Sequence, residues 1–415
     1  MTKLSTLFLV LFSLATQAQQ SYNITFTHDG KTVYGTFTVP DTSGRFPTVI
    51  INPGTGANDR DGTLPMIGGN VSCLYPGLLN DTLRPYKQLS DALVDSGFAV
   101  LRYDKLEYTY TTPVARGTIT FHKLWLPVES AIDYIKTRGD VDTNNIILIG
   151  HSEGSSIIPF IAKGRNDIKA LVSIAGPRTP LDSLLAYQLV AITDTCNGNV
   201  SQAQAQANQV LSYYNIIRTN TWNASTPSFG GASASTWYDY ILAVDSVAIN
   251  YNLTNLPTLF TGLGLDINVP PSELIRFQSE VTITNDFWSI PGLNHYMTTN
   301  NDPNVSTALT DTIIYWLRQK VMTTGVASLN NENISLLIYP NPFSTEFTVA
   351  VNEPKAKHLD ILVRNIFGQE IIREHLSETN GHLNRTFTLD AFADGVYLIS
   401  IIADGQLMTR KIIKQ

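Results

Sequence analysis

A serine flanked by glycines is the pattern in this chain that best fits covalent chemistry. Residues 150–154 read Gly-His-Ser-Glu-Gly, directly after the aliphatic run 146–149 and just before an apolar, helix-like segment at 157–162. This order of strand, sharp turn and helix exposes a serine hydroxyl at the carboxyl end of a parallel sheet. Glycine is needed on both sides of the serine, because a Cβ there would collide with the neighbouring strand and helix. Ser152 is therefore the candidate nucleophile.

The chain contains seven histidines as candidate bases: His28, His122, His151, His295, His358, His375 and His382. A base must take the proton from a seryl hydroxyl, and a third group must orient that base. Three of the histidines lie in a separate carboxyl-terminal segment, His28 falls in the amino-terminal strand region, and His151 lies inside the turn itself. Because nucleophile, acid and base follow in that order along chains with this motif, His295 is the predicted base. His122 is interpreted as a surface residue.

Several aspartates lie between Ser152 and His295 and could orient the base. Five of them fall in helical or polar segments that look like surface or lid: Asp167, Asp182, Asp194, Asp239 and Asp245. Asp286 opens the next strand, at the opposite end from the serine. Asp266 differs from all of these, because it follows the strand-like segment 257–262 and lies in a loop at a strand's carboxyl end. Asp266 is the predicted orienting acid.

Three further motifs accompany the serine motif. They are 50–56 (Ile-Ile-Asn-Pro-Gly-Thr-Gly), 58–62 (Asn-Asp-Arg-Asp-Gly) and 100–105 (Val-Leu-Arg-Tyr-Asp-Lys). With the serine turn and the Asp266 and His295 loops, they resemble an α/β-hydrolase of the EstD-like esterase branch, related to cephalosporin-C deacetylase-type and dienelactone-hydrolase-type enzymes. The resemblance spans about residues 30–320 and implies ester hydrolysis. The chain departs from that branch at Ser155, where a glycine is usual, and at 106–109, where an Arg-Gly-x-Gly turn is usual.

Two backbone N–H groups are predicted to hold the negative charge that develops on a substrate carbonyl oxygen. Glu153 follows the nucleophile and supplies one N–H group. The glycine-rich loop 53–56 after the buried strand 48–51 supplies the other, with Thr55 the expected donor. Arg60 follows this loop, and its expected role is a bracing ion pair with a nearby carboxylate rather than contact with substrate.

Length and composition limit the other classes of function. A chain of 415 residues is expected to form two or three domains. Its net charge of −7 and pI near 5.5, without a basic patch interleaved with aromatic residues, argue against nucleic acid as a partner. The sequence contains no Walker-type phosphate loop, no Cys/His metal cluster and no Rossmann fingerprint, so no cofactor is expected.

The amino terminus has the features of an export signal. Lys3, an apolar run at 7–14 and a small-residue cleavage site predict a signal peptide over residues 1–18. The apolar run is too short for a stable membrane span, and no other segment approaches the length needed. Cys73 and Cys196 would then face an oxidising compartment, where they either form a disulfide or remain two unpaired residues.

Strand-like and helical segments alternate through residues 19–322 and predict an α/β-hydrolase fold, with a mostly parallel sheet flanked by helices. An insertion at about 178–252 is interpreted as a helical lid over the pocket. Six aromatic residues punctuate the later part of this insertion: Tyr213, Tyr214, Trp222, Trp237, Tyr238 and Tyr240. Packing of the lid on the core is their expected role, and contact with an acyl group or a sugar face is the alternative.

The chain changes character after residue 322. A polar linker at 323–334 precedes short alternating segments separated by Asn, Gly and Asp turns, which predict a small β-sandwich over 335–415. The Tyr-Pro-Asn-Pro run at 339–342 and the basic ending at 410–414 resemble the carboxyl-terminal sorting domain of the type IX secretion system. That resemblance implies recognition by the secretion machinery, passage across an outer membrane, and release or attachment at the cell surface. A carbohydrate-binding or adhesive module is the alternative.

Together these patterns predict a secreted serine hydrolase that cleaves small-molecule carboxylic esters through a Ser-His-Asp triad and an acyl-enzyme intermediate. A peptidase of the prolyl-oligopeptidase type is one alternative. Such enzymes normally carry a large propeller before the hydrolase core, whereas only about 30 residues separate the signal from the oxyanion loop here. A non-catalytic surface binding protein on a hydrolase scaffold is the other alternative, and the complete set of Ser, His and Asp candidates argues against it.

Overall fold

The structure is a computed structural model of the 415-residue chain. It describes residues 19–42, 44–110, 120–321, 335–352, 358–365, 369–377, 382–403 and 406–415. The predicted signal peptide (1–18) and linker (323–334) therefore lie outside the described residues. The chain divides into two compact units, Met1–Ser306 and Thr307–Gln415.

The first unit is built on an eight-stranded sheet with helices packed against it. Its strands are β1 (Gln20–His28), β2 (Lys31–Val39), β3 (Phe46–Asn52), β4 (Leu64–Pro65), β5 (Thr82–Leu83), β6 (Ala99–Tyr103), β7 (Val141–His151), β8 (Ile168–Ile174), β9 (Thr258–Leu263), β10 (Asn285–Ile290), β11 (Thr298–Thr299) and β12 (Asp302–Val305). Its helices are α1 (Val71–Leu74), α2 (Pro85–Asp95), α3 (Leu106–Thr109), α4 (Phe121–Ile135), α5 (Glu153–Ala162), α6 (Leu181–Thr195), α7 (Val200–Arg218), α8 (Ala234–Asp245), α9 (Val247–Thr254) and α10 (Ser272–Glu280). The main sheet has the order β1-β2-β6-β3-β7-β8-β9-β10.

Most of this sheet is parallel. The pairs β6–β3, β3–β7, β7–β8, β8–β9 and β9–β10 are parallel, whereas β1–β2 and β2–β6 are antiparallel. The central strands contain apolar runs, such as residues 146–149 of β7, and these runs are fully buried because helices cover the sheet. Parallel strands end at the same edge of a sheet. The loops at that edge carry Thr55, Lys105, Ser152, Asp266 and His295.

Helices α6 to α9 occupy the predicted insertion between β8 and β9. They have a small buried core of their own, formed by Val210, Tyr214, Ile217, Ala234 and Ile241. A disulfide joins Cys73 on α1 to Cys196 at the carboxyl end of α6, with the two Cα atoms 5.2 Å apart. Of the two alternatives that the sequence left open, the structure has the disulfide, which ties the insertion to the loop region after β3.

In its described residues, the second unit contains one helix and seven strands. They are α11 (Thr307–Lys320), β13 (Ser335–Tyr339), β14 (Glu346–Asn352), β15 (His358–Asn365), β16 (Glu370–Ser377), β17 (His382–Thr388), β18 (Gly395–Ala403) and β19 (Gln406–Lys414). The strands form two antiparallel sheets, β13-β14-β17 and β16-β15-β18-β19. Alternating apolar side chains such as Phe347, Ile361 and Ile399 form one buried core. The predicted hydrolase domain extends to residue 322, whereas α11 is grouped here with the second unit.

Candidate active site

Ser152 lies in a sharp turn between β7 and α5. Its backbone has φ +54° and ψ −124°, a conformation that non-glycine residues rarely adopt and that is concentrated at functional sites. A Cβ on Gly150 would overlap the Gly154 carbonyl group, and a Cβ on Gly154 would overlap the carbonyl oxygen of Asn52. Both close approaches require glycine, which is the physical reason for the glycine positions of the motif.

Ser155 takes the place of the glycine that EstD-like sequences usually have there, and the turn accommodates it. The side chain is fully buried, and its hydroxyl donates a hydrogen bond of 2.8 Å to the Ser152 carbonyl oxygen. Space for this hydroxyl exists because Gly176 lies opposite, where a Cβ would collide with the Ser155 side chain. The departure therefore adds a hydrogen bond to the turn.

Asp266 and His295 meet in adjacent loops after β9 and β10. The distance between His295 Nδ1 and Asp266 Oδ2 is 2.7 Å. The other carboxylate oxygen, Oδ1, accepts hydrogen bonds of 2.8 Å from the backbone N–H groups of Asn268 and Val269. Asp266 is 3% exposed, and three hydrogen bonds, from the imidazole and two backbone amides, hold its carboxylate in place. Because the carboxylate accepts a hydrogen bond from Nδ1–H, the proton stays on Nδ1. Nε2 then carries the lone pair, which points away from Asp266.

Ser152 and His295 line the same cavity. The ring of His295 lies beside that of His151, the residue before the serine, with a distance of 4.8 Å between the ring centroids. Within the described part of the chain, neither the Ser152 hydroxyl nor His295 Nε2 makes a hydrogen bond, so both remain available to a molecule in the cavity. Hydrogen bonds between nucleophile and base are often long without substrate and tighten in the substrate complex.

The two predicted oxyanion donors flank the serine. Glu153 is the first residue of α5, where helix geometry leaves the backbone N–H without a partner in the helix. On the other side, the Gly54 N–H donates a hydrogen bond of 3.0 Å to the Tyr86 hydroxyl. The Thr55 N–H makes no hydrogen bond to any described residue, and Thr55 lines the cavity. The structure therefore leaves the two N–H groups that the sequence singled out available beside Ser152.

The motifs at 58–62 and 100–105 are paired with each other. Arg60 binds the Asp104 carboxylate through its guanidinium group, with Nη2 to Oδ2 at 2.7 Å and Nε to Oδ1 at 3.0 Å. Arg102 forms an ion pair with Asp61. The Arg60 side chain braces the loop, as expected from the sequence, and Arg60 is not among the residues that line the cavity.

A chain of hydrogen bonds through His151 connects the oxyanion loop to the histidine loop. Gly54 N–H donates to the Tyr86 hydroxyl, Tyr86 Oη lies 3.0 Å from His151 Nδ1, and His151 Nε2 lies 2.8 Å from the His295 carbonyl oxygen. A carbonyl can only accept, so Nε2 of His151 carries the proton and Nδ1 accepts from Tyr86. Burial, and secondarily the neighbouring His295, lowers the pKa of His151 to about 3, so the ring is neutral.

The cavity over Ser152 has a volume of about 730 Å³. Part of its apolar wall comes from the lid helices and α4, through Leu124, Leu181, Leu184, Leu185, Trp237 and Val244. Trp237 is held in position because its indole N–H donates a hydrogen bond of 2.8 Å to the Phe229 carbonyl oxygen. Glu107, from the segment that departs from the EstD-like pattern, also lines the cavity.

The lid aromatic residues divide between two roles. Trp237 and Tyr240 line the cavity, whereas the other four pack within the lid: Tyr213, Tyr214, Trp222 and Tyr238. His122 is exposed, and its ring packs against Trp125, which agrees with the surface interpretation.

The rejected aspartates have other neighbours. Asp182 and Asp245 pair with Arg218, and Asp167 pairs with Arg165 and Lys136. The Asp239 carboxylate accepts a hydrogen bond from the backbone N–H of Phe121. None of these four aspartates lines the cavity. The sequence assigned no role to Tyr86 or Lys105, and both line the cavity. Of these residues, only Lys105 could have been singled out from the sequence, because it ends the motif at 100–105.

The parallel sheet, the serine turn after β7 and the lid before β9 together define an α/β-hydrolase fold. A family model described as BAAT / Acyl-CoA thioester hydrolase C terminal matches residues 128–248, which include the serine turn and most of the lid. Esterase EstD of Thermotoga maritima is 32% identical over 156 residues, or 37% of this chain. This match confirms the resemblance to EstD-like proteins that the motifs predicted. The chain spans about a third (33%) of the length of that curated relative.

Solved structures with a related chain trace include several esterases. Est1E from Butyrivibrio proteoclasticus aligns with a TM-score of 0.47 and 15% identity over 72% of this chain and 99% of that chain. Acetyl xylan esterase 1 from Thermoanaerobacterium sp. aligns with a TM-score of 0.44 and 15% identity over 74% of this chain and 85% of that chain.

The second unit matches a different family. Residues 337–415 match the model of the secretion system C-terminal sorting domain, in agreement with the resemblance drawn from the sequence. Across the described ranges, no helix combines the length and apolar character needed to cross a membrane.

Proposed function

We propose that this protein is a serine hydrolase that cleaves carboxylic esters, with Ser152 as nucleophile, His295 as base and Asp266 as the acid that orients it. The observation that carries the proposal is the 2.7 Å contact between Asp266 and His295, which lines the same cavity as Ser152. The similarity to Esterase EstD supports the same class of reaction.

The proposed reaction follows the usual course of acyl transfer. His295 Nε2 takes the proton of the Ser152 hydroxyl while Oγ attacks the ester carbonyl carbon. The carbonyl oxygen becomes negative and accepts hydrogen bonds from the N–H groups of Glu153 and Thr55. The alcohol leaves with the proton from His295, and the acyl group stays on Ser152. Water then gives a proton to His295 while its oxygen attacks the acyl carbon. His295 returns that proton to Ser152 Oγ as the acyl–oxygen bond breaks and the carboxylic acid leaves, with Asp266 orienting the imidazole in both halves.

The cavity supports a preference for esters with an apolar acyl or aryl group. Its wall on the lid side is aliphatic and aromatic, and burial of an apolar group there contributes about 25 cal/mol per Å² of surface removed from water.

Labelling and substrate comparison test this proposal. A fluorophosphonate probe should label the folded wild-type protein at Ser152 and fail to label Ser152→Ala. Unlabelled wild-type protein should hydrolyse p-nitrophenyl esters and leave Xaa-Pro amides intact. Absence of labelling in folded protein would favour a non-catalytic binding protein, and preferential cleavage of the amides would favour a peptidase.

Thioester hydrolysis is a second candidate, favoured by the family match over residues 128–248. The same nucleophile and oxyanion donors serve both reactions, because the two substrates differ only in the leaving group. Comparing kcat/KM for an oxygen ester and a thioester with the same acyl group separates the candidates.

We further propose that the second unit directs export through the type IX secretion system, after cleavage of the predicted signal peptide. The support is the family match at 337–415. The full chain should reach the medium or the cell surface in a bacterium that has this secretion system, and a chain lacking residues 335–415 should stay in the periplasm. Equal export of both chains would contradict the proposal and leave an adhesive or carbohydrate-binding role for this unit.

A further inference from the structure

We propose that Lys105 is the positioning residue of the oxyanion hole, since its ammonium group holds both the peptide that carries the Thr55 N–H and the side chain of Glu153. This inference deepens the proposed function and rests on it. It concerns a residue that touches neither Ser152 nor His295 among the described contacts, and that acts through the two backbone donors.

Lys105 joins the two halves of the oxyanion site directly. Its Nζ atom donates a hydrogen bond of 3.0 Å to the Gly54 carbonyl oxygen and lies 3.3 Å from Glu153 Oε2. The side chains of Lys105 and Glu153 are 10% and 9% exposed, so this is a buried ion pair. A buried charge pair contributes little net stability compared with apolar packing. Stability alone therefore gives a weak reason for an ammonium group at the cavity wall.

The geometry of the peptide bond makes the Gly54 contact important. The Gly54 carbonyl and the Thr55 N–H belong to one planar trans peptide, in which the two groups point in opposite directions. Fixing the carbonyl therefore fixes the direction of the N–H group. The Asn58 side-chain amide donates a second hydrogen bond of 3.0 Å to the same oxygen. Lys105 also donates its own backbone N–H to the Asn58 carbonyl oxygen, at 3.0 Å, which keeps the two donors together.

The charge on Lys105 has an additional effect. A hydrogen bond from a cation to a peptide oxygen polarises the peptide and strengthens its N–H as a donor. The preceding N–H group, that of Gly54, is occupied by Tyr86. Thr55 is therefore the donor in this loop that both faces the cavity and lies on the polarised peptide.

Glu153 is held from the lid as well. The Tyr240 hydroxyl, on α8, donates a hydrogen bond to Glu153 Oε1, while Lys105 contacts Oε2. Burial, followed by the charge of Glu153, raises the pKa of Tyr240 well above its usual value, so the hydroxyl stays protonated and donates. Both oxygens of the Glu153 carboxylate thus have fixed partners, and its backbone N–H is held in the first turn of α5.

Replacement of Lys105 in the full-length protein tests the inference. Lys105→Met keeps the length of the side chain and removes its charge and donors. We expect kcat for a short-chain p-nitrophenyl ester to fall about 10- to 100-fold per folded molecule, somewhat less than for complete loss of an oxyanion donor. KM should change less than about threefold, because the donors act mainly on the transition state. The affinity for a trifluoromethyl ketone, whose adduct with the serine carries an oxyanion, should fall by the same factor as kcat/KM.

Two further variants distinguish positioning from folding. Lys105→Met leaves the Glu153 carboxylate unpaired, so a double variant with Glu153→Gln removes both charges and should fold while keeping the kcat defect. Lys105→Arg retains the charge and should recover part of the lost activity. The matched control is Lys136→Met, which removes an ion pair with Asp167 away from the cavity and should leave kcat within about twofold of wild type.

Two results would overturn the inference. One is a folded double variant with wild-type kcat and wild-type affinity for the ketone. The other is a variant that loses thermal stability but keeps kcat per folded molecule, which would make Lys105 a structural residue. If the proposed function is wrong, the wild-type protein itself will be inactive on esters and unlabelled by the probe. Both proposals would then be contradicted, a result that differs from either of the two above.

Discussion

The two sides of Ser152 are built from different interactions. On the histidine side, the Asp266 carboxylate contacts one imidazole nitrogen and two backbone amides, and its partners carry no permanent positive charge. On the oxyanion side, a buried ion pair between Lys105 and Glu153 holds a loop whose useful groups are backbone N–H groups. A proton must move on the first side, whereas on the second side the donors must only stay in position. Side-chain replacement can abolish the first function but can only weaken the second.

The largest effect should come from removing the nucleophile or the base. Ser152→Ala and His295→Gln should each lower kcat by about 10⁵- to 10⁶-fold, because neither residue acts without the other. The double variant should be no slower than the single variants, since the pair works as a unit. Steady-state kinetics with a chromogenic ester measures all three. Additive losses in the double variant would mean that the two residues act independently. That result would contradict the view that the histidine side of Ser152 works by moving one proton between the two residues.

The orienting acid should have the next largest effect. Asp266→Asn keeps the size of the side chain but favours the wrong tautomer of His295, and should lower kcat by about 10³- to 10⁴-fold with little change in KM. Circular dichroism serves as the control for folding. A loss below about tenfold would show that the histidine side depends on its acid no more than the oxyanion side depends on Lys105.

His151 links the two sides, and its replacement should affect stability more than chemistry. Its pKa is about 3 in the folded protein and about 6.5 in the unfolded chain. As the pH falls below about 6.5, the unfolded state binds a proton that the folded state cannot bind. The contribution of neutral His151 to the unfolding free energy is therefore fully present above pH 6.5 and is lost as the pH falls toward 3. Between pH 7 and pH 4, wild type should lose about 3 kcal/mol more unfolding free energy than His151→Gln.

Denaturant unfolding of both proteins at several pH values measures this difference. The His151→Gln variant provides the reference, because all other titrating groups are shared. Parallel curves for the two proteins would mean that His151 titrates normally and does not hold a neutral link between the loops.

The smallest effect on activity should come from the disulfide. Cys73→Ser/Cys196→Ser should lower the unfolding free energy by about 2–4 kcal/mol, since the bond closes a loop between residues 123 apart in sequence. We expect kcat to stay within about threefold of wild type for a short-chain ester, because neither cysteine lines the cavity. Thermal unfolding and kinetics of the same preparation measure both quantities. A loss of kcat as large as that from Asp266→Asn would place the lid tether among the catalytic determinants.

Much of the fold could be predicted because local patterns carry it. The aliphatic run 146–149 predicts a buried strand, the glycines at 150 and 154 predict the turn, and the alternating segments after residue 335 predict the antiparallel sheets. The α/β-hydrolase fold is confirmed. The roles assigned to Ser152, Asp266 and His295 stay predictions until activity is measured, although the structure brings two of these residues into contact and the third into the same cavity.

The network behind the site could not be predicted because its contacts join distant segments. Tyr86 lies in an amphipathic helix, where a buried aromatic residue is ordinary core, and nothing in its sequence neighbourhood indicates a hydrogen bond to His151. The pairing of Cys73 with Cys196 was likewise open, since sequence spacing does not report the distance between two side chains. Lys105 belonged to a recognisable motif, but its partners lie 51 and 48 residues away.

The sequence by itself determined the elements and the types of reactive group, because strand, turn and helix patterns depend on neighbouring residues. It placed a serine in a strained turn, an aspartate and a histidine in later loops, and a β-rich segment at the end. Only the tertiary structure decided which groups are in contact. The His295 imidazole contacts the Asp266 carboxylate, the Lys105 ammonium group contacts the peptide before Thr55, and Tyr240 of the lid contacts Glu153. The physical reason is that parallel strands bring their carboxyl ends to one edge, where loops far apart in sequence become neighbours.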